Sequence, residues 1–155
     1  MNASVKCIPK IVEKQTGLRC GKHAINNLFQ RRNFATCQNL KKIAIKLSKT
    51  YFININELIN SSGFYDISVL MTFLVHNKYE IQYSNTINKT NYSKLIGFII
   101  GNGTHWISIR KQFNHFYGLD SCRETPIKIQ NLKVWIAKYF KNVRVSDRAI
   151  IKIFE

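Results

Sequence analysis

Hydrophobic positions change period about halfway along the chain. Behind Cys20, the apolar residues Ala24, Ile25, Leu28 and Phe29 recur at helical spacing. A second stripe, Leu40, Ile43, Ala44 and Leu47, predicts a helix over residues 38–48 with Thr36 as its N-cap. A third, Val69, Leu70, Phe73 and Leu74, predicts a helix over 67–77 behind the cap Asp66. Then the period becomes two. Tyr79, Ile81 and Tyr83 alternate as a strand, and residues 95–100 read as a buried one. Residues 104–111 predict a strand with His105, Ile107 and Ile109 on one face, hairpinned to a strand over 113–119. A helix over 130–141, with Ile129, Leu132, Ile136 and Tyr139 inward, and a strand over 148–154 close the chain. Helices first and antiparallel strands second predict an α+β fold.

The connections read less sharply. Residues 8–13 suit an extended segment and Thr16-Gly17 a turn. Arg31 and Arg32 are expected in the last turn of the first helix, where cations suit the dipole. Residues 51–55 look β-rich, 57–59 suit a helical turn, and 60–63 and 84–94 suit loops. The 155 residues carry only 2 Pro and 7 Gly and no internal repeat, so we expect one domain over 8–155 after a short, poorly ordered start at 1–7.

Composition narrows the class. With 45% hydrophobic residues a packed core is expected. The N-terminus MNASVKCIPK lacks the apolar segment of a signal peptide, and 95–100 is too short to span a bilayer. An intracellular, cytoplasmic protein is expected. Cys7, Cys20, Cys37 and Cys122 form no CxxC pair, so free thiols are expected rather than a zinc site or disulfides. Sequons such as those at Asn88 and Asn102 are then chance matches in an asparagine-rich chain. The net charge of +16, from 24 Lys and Arg against 8 Asp and Glu, is unusual. It suits loose electrostatic association with nucleic acid or anionic membrane, although the cations form no run of five and no nucleic-acid-binding signature.

The candidate chemistry centres on Cys20. A thiol at a helix N-terminus meets free N–H groups and the positive end of the helix dipole, which favour its nucleophilic thiolate. Such a thiol needs a base. His23 shares the cysteine's own helix, His76 closes another helix, and His115 lies near a turn. His105 follows the Gly101-Asn102-Gly103 loop, beside Trp106, which can exclude water. Asp120 ends the next strand, and a hairpin brings the start of one strand beside the end of the other. It can therefore orient the imidazole. Acyl transfer also needs donors for the developing oxyanion; the Gln15 amide and the Cys20 N–H can supply them.

These residues sit within a wider pattern. Glu13-Lys14-Gln15, Leu18, Cys20, His23, Asn26-Asn27, Leu28-Phe29-Gln30, the segment GFYDISV from Gly63, Gly97-Phe98-Ile99, His105-Trp106-Ile107, Tyr117 and Leu119-Asp120-Ser121 occur in that order. The sequence resembles the Josephin family of papain-like cysteine proteases, which are deubiquitinases, over nearly its whole length. Its Leu-Asp-Ser motif resembles the short, Josephin-domain-only branch; the ataxin branch has asparagine in place of the aspartate. The resemblance implies nucleophile Cys20, base His105, orienter Asp120 and oxyanion donor Gln15. It implies a ubiquitin C-terminal glycine carbonyl as substrate and no metal or organic cofactor. The helical arm that covers the cleft in the ataxin branch would have only residues 49–63 available here, so it is expected to be short or absent. A monomer is expected. Three rival readings stay open: a ubiquitin-binding module with a weak or misaligned site, a basic nucleic-acid- or membrane-associated protein on the same fold, and other papain-like chemistry such as deamidation or action on a ubiquitin-like modifier.

Overall fold

The computed structural model describes residues 8–15, 17, 19–87 and 91–155. The expected loose start at 1–7, Thr16 of the expected turn, Leu18 and the sequon at Asn88 lie outside them.

Four helices come first: α1 (Cys20–Phe29), α2 (Cys37–Tyr51), α3 (Ile55–Leu58) and α4 (Ile67–His76). Six strands follow: β1 (Glu80–Ser84), β2 (Leu95–Gly101), β3 (Trp106–Gln112), β4 (His115–Leu119), β5 (Ile127–Ile129) and β6 (Ala149–Phe154). Helix α5 (Leu132–Tyr139) and a 3₁₀ turn (Val145–Asp147) lie between β5 and β6. The strands form one antiparallel sheet in the order β1-β6-β2-β3-β4-β5. Alternation along the strands separates two cores. Ile99, Trp106, Ile151 and Ile153 face α1 and α4, where Ile25, Leu28, Leu70 and Leu74 are sealed from solvent. Phe98, Ile100, Ile107, Ile109 and Ile150 face α5 through Ile136 and Phe140. The result is the expected α+β architecture.

The start signals act as expected. Thr36 accepts from Asn39 N–H while the Asn39 side chain accepts from Thr36 N–H, a full capping box. Asp66 caps α4 through Ser68 N–H.

Four details differ. Arg31 and Arg32 lie beyond α1, because Gln30 turns left-handed (φ 54°) and returns its N–H to the carbonyls of Asn26 and Asn27. The guanidinium that serves the helix end comes from β3, where Arg110 donates to the Leu28 carbonyl. Arg31 instead lies 4.4 Å over the Phe34 ring. Residues 51–55 form no strand: Tyr51 ends α2, Phe52 caps it at φ 54°, and Asn54 caps α3 through Asn56 N–H. His105 stands one residue before β3 rather than on its face with Ile107 and Ile109. Strand β5 has too few residues to display a period; it pairs with β4 through Phe116↔Ile129 and Gly118↔Ile127.

A polar clasp positions the N-terminal segment. The Gln30 side-chain oxygen accepts from Lys10 N–H (2.8 Å) and Ile11 N–H (2.9 Å), and its amide donates to the Ile11 carbonyl (2.8 Å). Asn27 Oδ1 accepts from Glu13 N–H at 2.6 Å. Asn26 donates to the Glu13 carboxylate (3.0 Å) and bonds both backbone groups of Ala35. The polar residues at the end of α1 thus hold the segment that leads to Gln15. Gln30→Ala is expected to lower stability by about 1–2 kcal/mol and to speed hydrogen exchange at Lys10 and Ile11 first. Exchange that rises uniformly across the chain would contradict a local clasp.

Candidate active site

The first turn of α1 packs against the start of β3, and this contact brings Cys20 to His105. Gly21 permits it: a Cβ there would stand 3.1 Å from Leu70 and 3.4 Å from the Trp106 ring. Trp106 donates its backbone N–H to Cys20 Sγ at 3.3 Å. Its indole Nε1 donates to the Tyr65 carbonyl at 3.0 Å, and its ring stacks on Phe64 at 6.0 Å between centroids. At Gly101, directly across from Trp106 in the sheet, a Cβ would come within 2.4 Å of the indole. Only glycine leaves room for the ring.

His105 is fixed at several points. Its backbone N–H donates to Asn102 Oδ1 (2.9 Å), and its carbonyl accepts from the Tyr139 hydroxyl (3.2 Å). Nε2 meets Asp120 Oδ1 at 2.8 Å. That leaves Nδ1 as the ring nitrogen for the Cys20 thiol. The Asp120 hydrogen bond first, and then the Cys20 contact, outweigh burial and push the His105 pKa up to about 10. At neutral pH the ring is therefore an imidazolium, the cation that a thiolate requires. Burial alone would raise the Asp120 pKa. Hydrogen bonds from His105 and from Cys122 N–H (2.9 Å), with the nearby His105 and Arg123 charges, overcome it and hold the carboxyl below its usual range.

Gln15 is held by the segment that carries Asp120. Its backbone N–H donates to the Ser121 carbonyl (2.9 Å), and its side-chain oxygen accepts from Ser121 Oγ (3.0 Å). One Nε2 hydrogen goes to the Gly17 carbonyl at 2.5 Å, so the second is available to an oxyanion. Ser121 is buried at 2% exposure. Sequence reasoning passed over its role, although Ser121 stands in the Leu-Asp-Ser motif.

His23 has a different task. Nδ1 meets Glu13 Oε2 at 2.7 Å, inside the polar clasp. Burial lowers its pKa and outweighs the Glu13 contact, so we read a neutral ring donating to the carboxylate. The other missed residue, Tyr139, touches the site through its hydroxyl alone; burial raises that hydroxyl's pKa and keeps it a donor.

All four expected site residues thus lie in one region. Cys20 is nearly sealed at 1% exposure, while the His105 and Asp120 side chains keep 22% and 24%. Among the described residues, one group offers three potential metal ligands: His105, Asp120 and Cys122, with ligand atoms within 4.8 Å of one another. Two of them already bond to each other, so a cation there would have to break the His105–Asp120 contact.

Comparison with known proteins gives a consistent picture. The family model described as Josephin matches residues 15–153. A Josephin-like protein of Drosophila melanogaster is 26% identical over 132 residues, 74% of this chain and 60% of its own length. An ataxin-3-like protein of Homo sapiens is 29% identical over 138 residues, 74% of this chain and 38% of its own. An ataxin-3 homolog of Caenorhabditis briggsae is 26% identical over 129 residues, 74% of this chain and 40% of its own. The chain therefore spans less than two thirds of the length of each of these relatives. A match across most of the chain, joined to helices packed on a six-stranded antiparallel sheet, establishes that the chain belongs to the Josephin family, with its α+β papain-like fold.

Proposed function

We propose that the protein is a cysteine-type deubiquitinase that hydrolyses the bond after the ubiquitin C-terminal glycine. The observation that carries the reading is the alignment at Cys20. The thiol receives a backbone N–H, faces an imidazole, and that imidazole is held by a carboxylate at 2.8 Å. Membership of a family that includes ubiquitin proteases supports the substrate class.

The chemistry follows from these positions. The Cys20 thiolate attacks the glycine carbonyl carbon, and the electron pair of the C=O bond moves to oxygen. The Gln15 amide hydrogen left over from Gly17 and the Cys20 N–H at the helix start meet that oxyanion. The intermediate collapses as His105 gives its proton to the leaving amine, and a thioester remains. The neutral imidazole then takes a proton from water, whose hydroxide attacks the thioester and returns the thiol. Asp120 keeps Nδ1 directed at sulfur throughout.

One observation favours the rival ubiquitin-binding module: the near-complete burial of Cys20. A ubiquitin C-terminal electrophile separates the two. Covalent labelling that is lost in Cys20→Ala, with hydrolysis of a fluorogenic ubiquitin amide lost in Cys20→Ala and His105→Ala, is expected. Tight reversible binding without labelling would assign the module instead.

The pH dependence has a defined sign. His105 must carry the proton that goes to the amine, so kcat/KM is expected to fall as pH rises through about 10. Asp120→Asn removes the main support for the charged ring and moves this alkaline limb to lower pH. Because folding raises the His105 pKa above 6.5, its contribution to stability is complete below 6.5 and fades as pH rises to about 10. His105→Ala should thus cost more stability in acid than in alkali, as read by denaturant melts.

The oxyanion side gives a further expectation. Gln15→Ala should lower kcat roughly a hundredfold. Ser121→Ala should lower it by about tenfold through loss of one orienting hydrogen bond, with KM nearly unchanged. An undiminished kcat in Gln15→Ala would remove that residue from the mechanism.

A further inference from the structure

The thiol site leaves the protein's charge unexplained, and the charge is not evenly spread. Between Glu13 and Glu57 the chain holds nine cations (Lys14, Arg19, Lys22, Arg31, Arg32, Lys41, Lys42, Lys46 and Lys49) and no acid. Four of them lie on α2. Leu40 and Ala44 turn its buried side toward the core. Helical spacing places Lys41, Lys42, Ile45, Lys46 and Lys49 on the opposite arc, and all five are exposed. Among the described residues, no salt bridge engages any of these lysines.

Apolar groups stand in water at the end of that helix and on its neighbour. Phe52, the residue that caps α2, is 96% exposed. It is not a loose end: its N–H returns to the Ser48 carbonyl, and Ser48 Oγ donates to the Ile53 carbonyl at 2.6 Å. Tyr51 beside it is 64% exposed, and Val75 of the neighbouring α4 is 51% exposed. A groove of about 210 Å³ between α2 and α4, lined by Lys46, Leu47, Tyr51, Thr72 and His76, joins these two edges.

We propose that the outer face of α2, with Phe52 as its leading edge, docks the protein on an anionic lipid surface. Lysines are attracted to acidic headgroups, and their alkyl stems tolerate the interface. A fixed aromatic tip with aliphatic neighbours can enter the headgroup boundary, as amphipathic surface helices do. Backbone phosphates of a nucleic acid would satisfy the lysines but give Ile45 and Val75 no partner. No helix among the described residues is long and apolar enough to cross a membrane, so attachment here is to the surface. The proposal is independent of the reaction at Cys20.

The test is sedimentation of the full chain with phosphatidylcholine vesicles, with and without phosphatidylserine, at low and physiological salt. Binding is expected only with phosphatidylserine, weakening as salt rises. The double reversal Lys42→Glu, Lys49→Glu should weaken it at least thirtyfold, roughly. Lys128→Glu, Lys133→Glu on the α5 side makes the same change in net charge and should weaken it only a few-fold, roughly. Phe52→Asn keeps a residue that tolerates the left-handed cap and should cost about tenfold. Phe52→Trp should shift its emission to the blue on vesicles. Far-ultraviolet circular dichroism checks that each variant is folded. Absent binding to acidic vesicles, equal losses in the two double reversals, or full binding by Phe52→Asn would each overturn the proposal. Tighter binding to duplex DNA than to vesicles, unchanged in Phe52→Asn, would also overturn it and give the face to nucleic acid.

Discussion

The site depends on where one indole ring sits. Trp106 lies at the junction of the helical half and the sheet, and it acts in both directions. Its backbone N–H reaches the Cys20 sulfur, and its Nε1 reaches the Tyr65 carbonyl ahead of α4. Its ring occupies the space that a side chain at Gly101 would fill, and it stacks on Phe64. A buried tryptophan contributes a large apolar area, and its N–H needs a partner; here that partner belongs to the other half of the fold. Since His105 precedes Trp106 directly, anchoring the indole also sets where the imidazole stands relative to α1. Packing and chemistry share one residue pair.

The second fixed relation is between residues 13–15 and the turn after β4. Glu13 is held by Asn26, Asn27 and His23, and Gln15 by Ser121. The chain is thereby tied on both sides of Cys20. Asp120 holds the His105 imidazole, while the next residue holds the Gln15 amide. A displacement of this turn would move the imidazole and the Gln15 amide together.

Much of this was legible in the chain. Apolar periods located α1, α2, α4 and α5, and the capping residues Thr36 and Asp66 mark the starts of α2 and α4. The hairpin argument brought His105 to Asp120 because antiparallel pairing is set by register. Other features depend on tertiary partners. Residues 51–55 have strand-like composition, yet the left-handed turn at Phe52 and the packing of Ile53 decide their conformation. Strand β5 exists because β4 offers it an edge. Ser121 and Tyr139 act through a hydroxyl aimed at a distant backbone or amide group, and no local pattern encodes such an aim. The polar end of α1 marked the family in sequence, but its physical purpose as a clasp needed the segment that it holds.

The depth of Cys20 has a consequence for how the protein meets small electrophiles. Its sulfur is almost enclosed, whereas Cys122 is exposed and stands 3.6 Å from the Gln15 side-chain oxygen. A general alkylating reagent will therefore reach Cys122 before the buried thiol. An adduct there would crowd Gln15 and the Asp120 turn while the deeper sulfur stayed intact. Labelling by such reagents therefore reports access to the rim of the site and says little about the Cys20 sulfur beneath it.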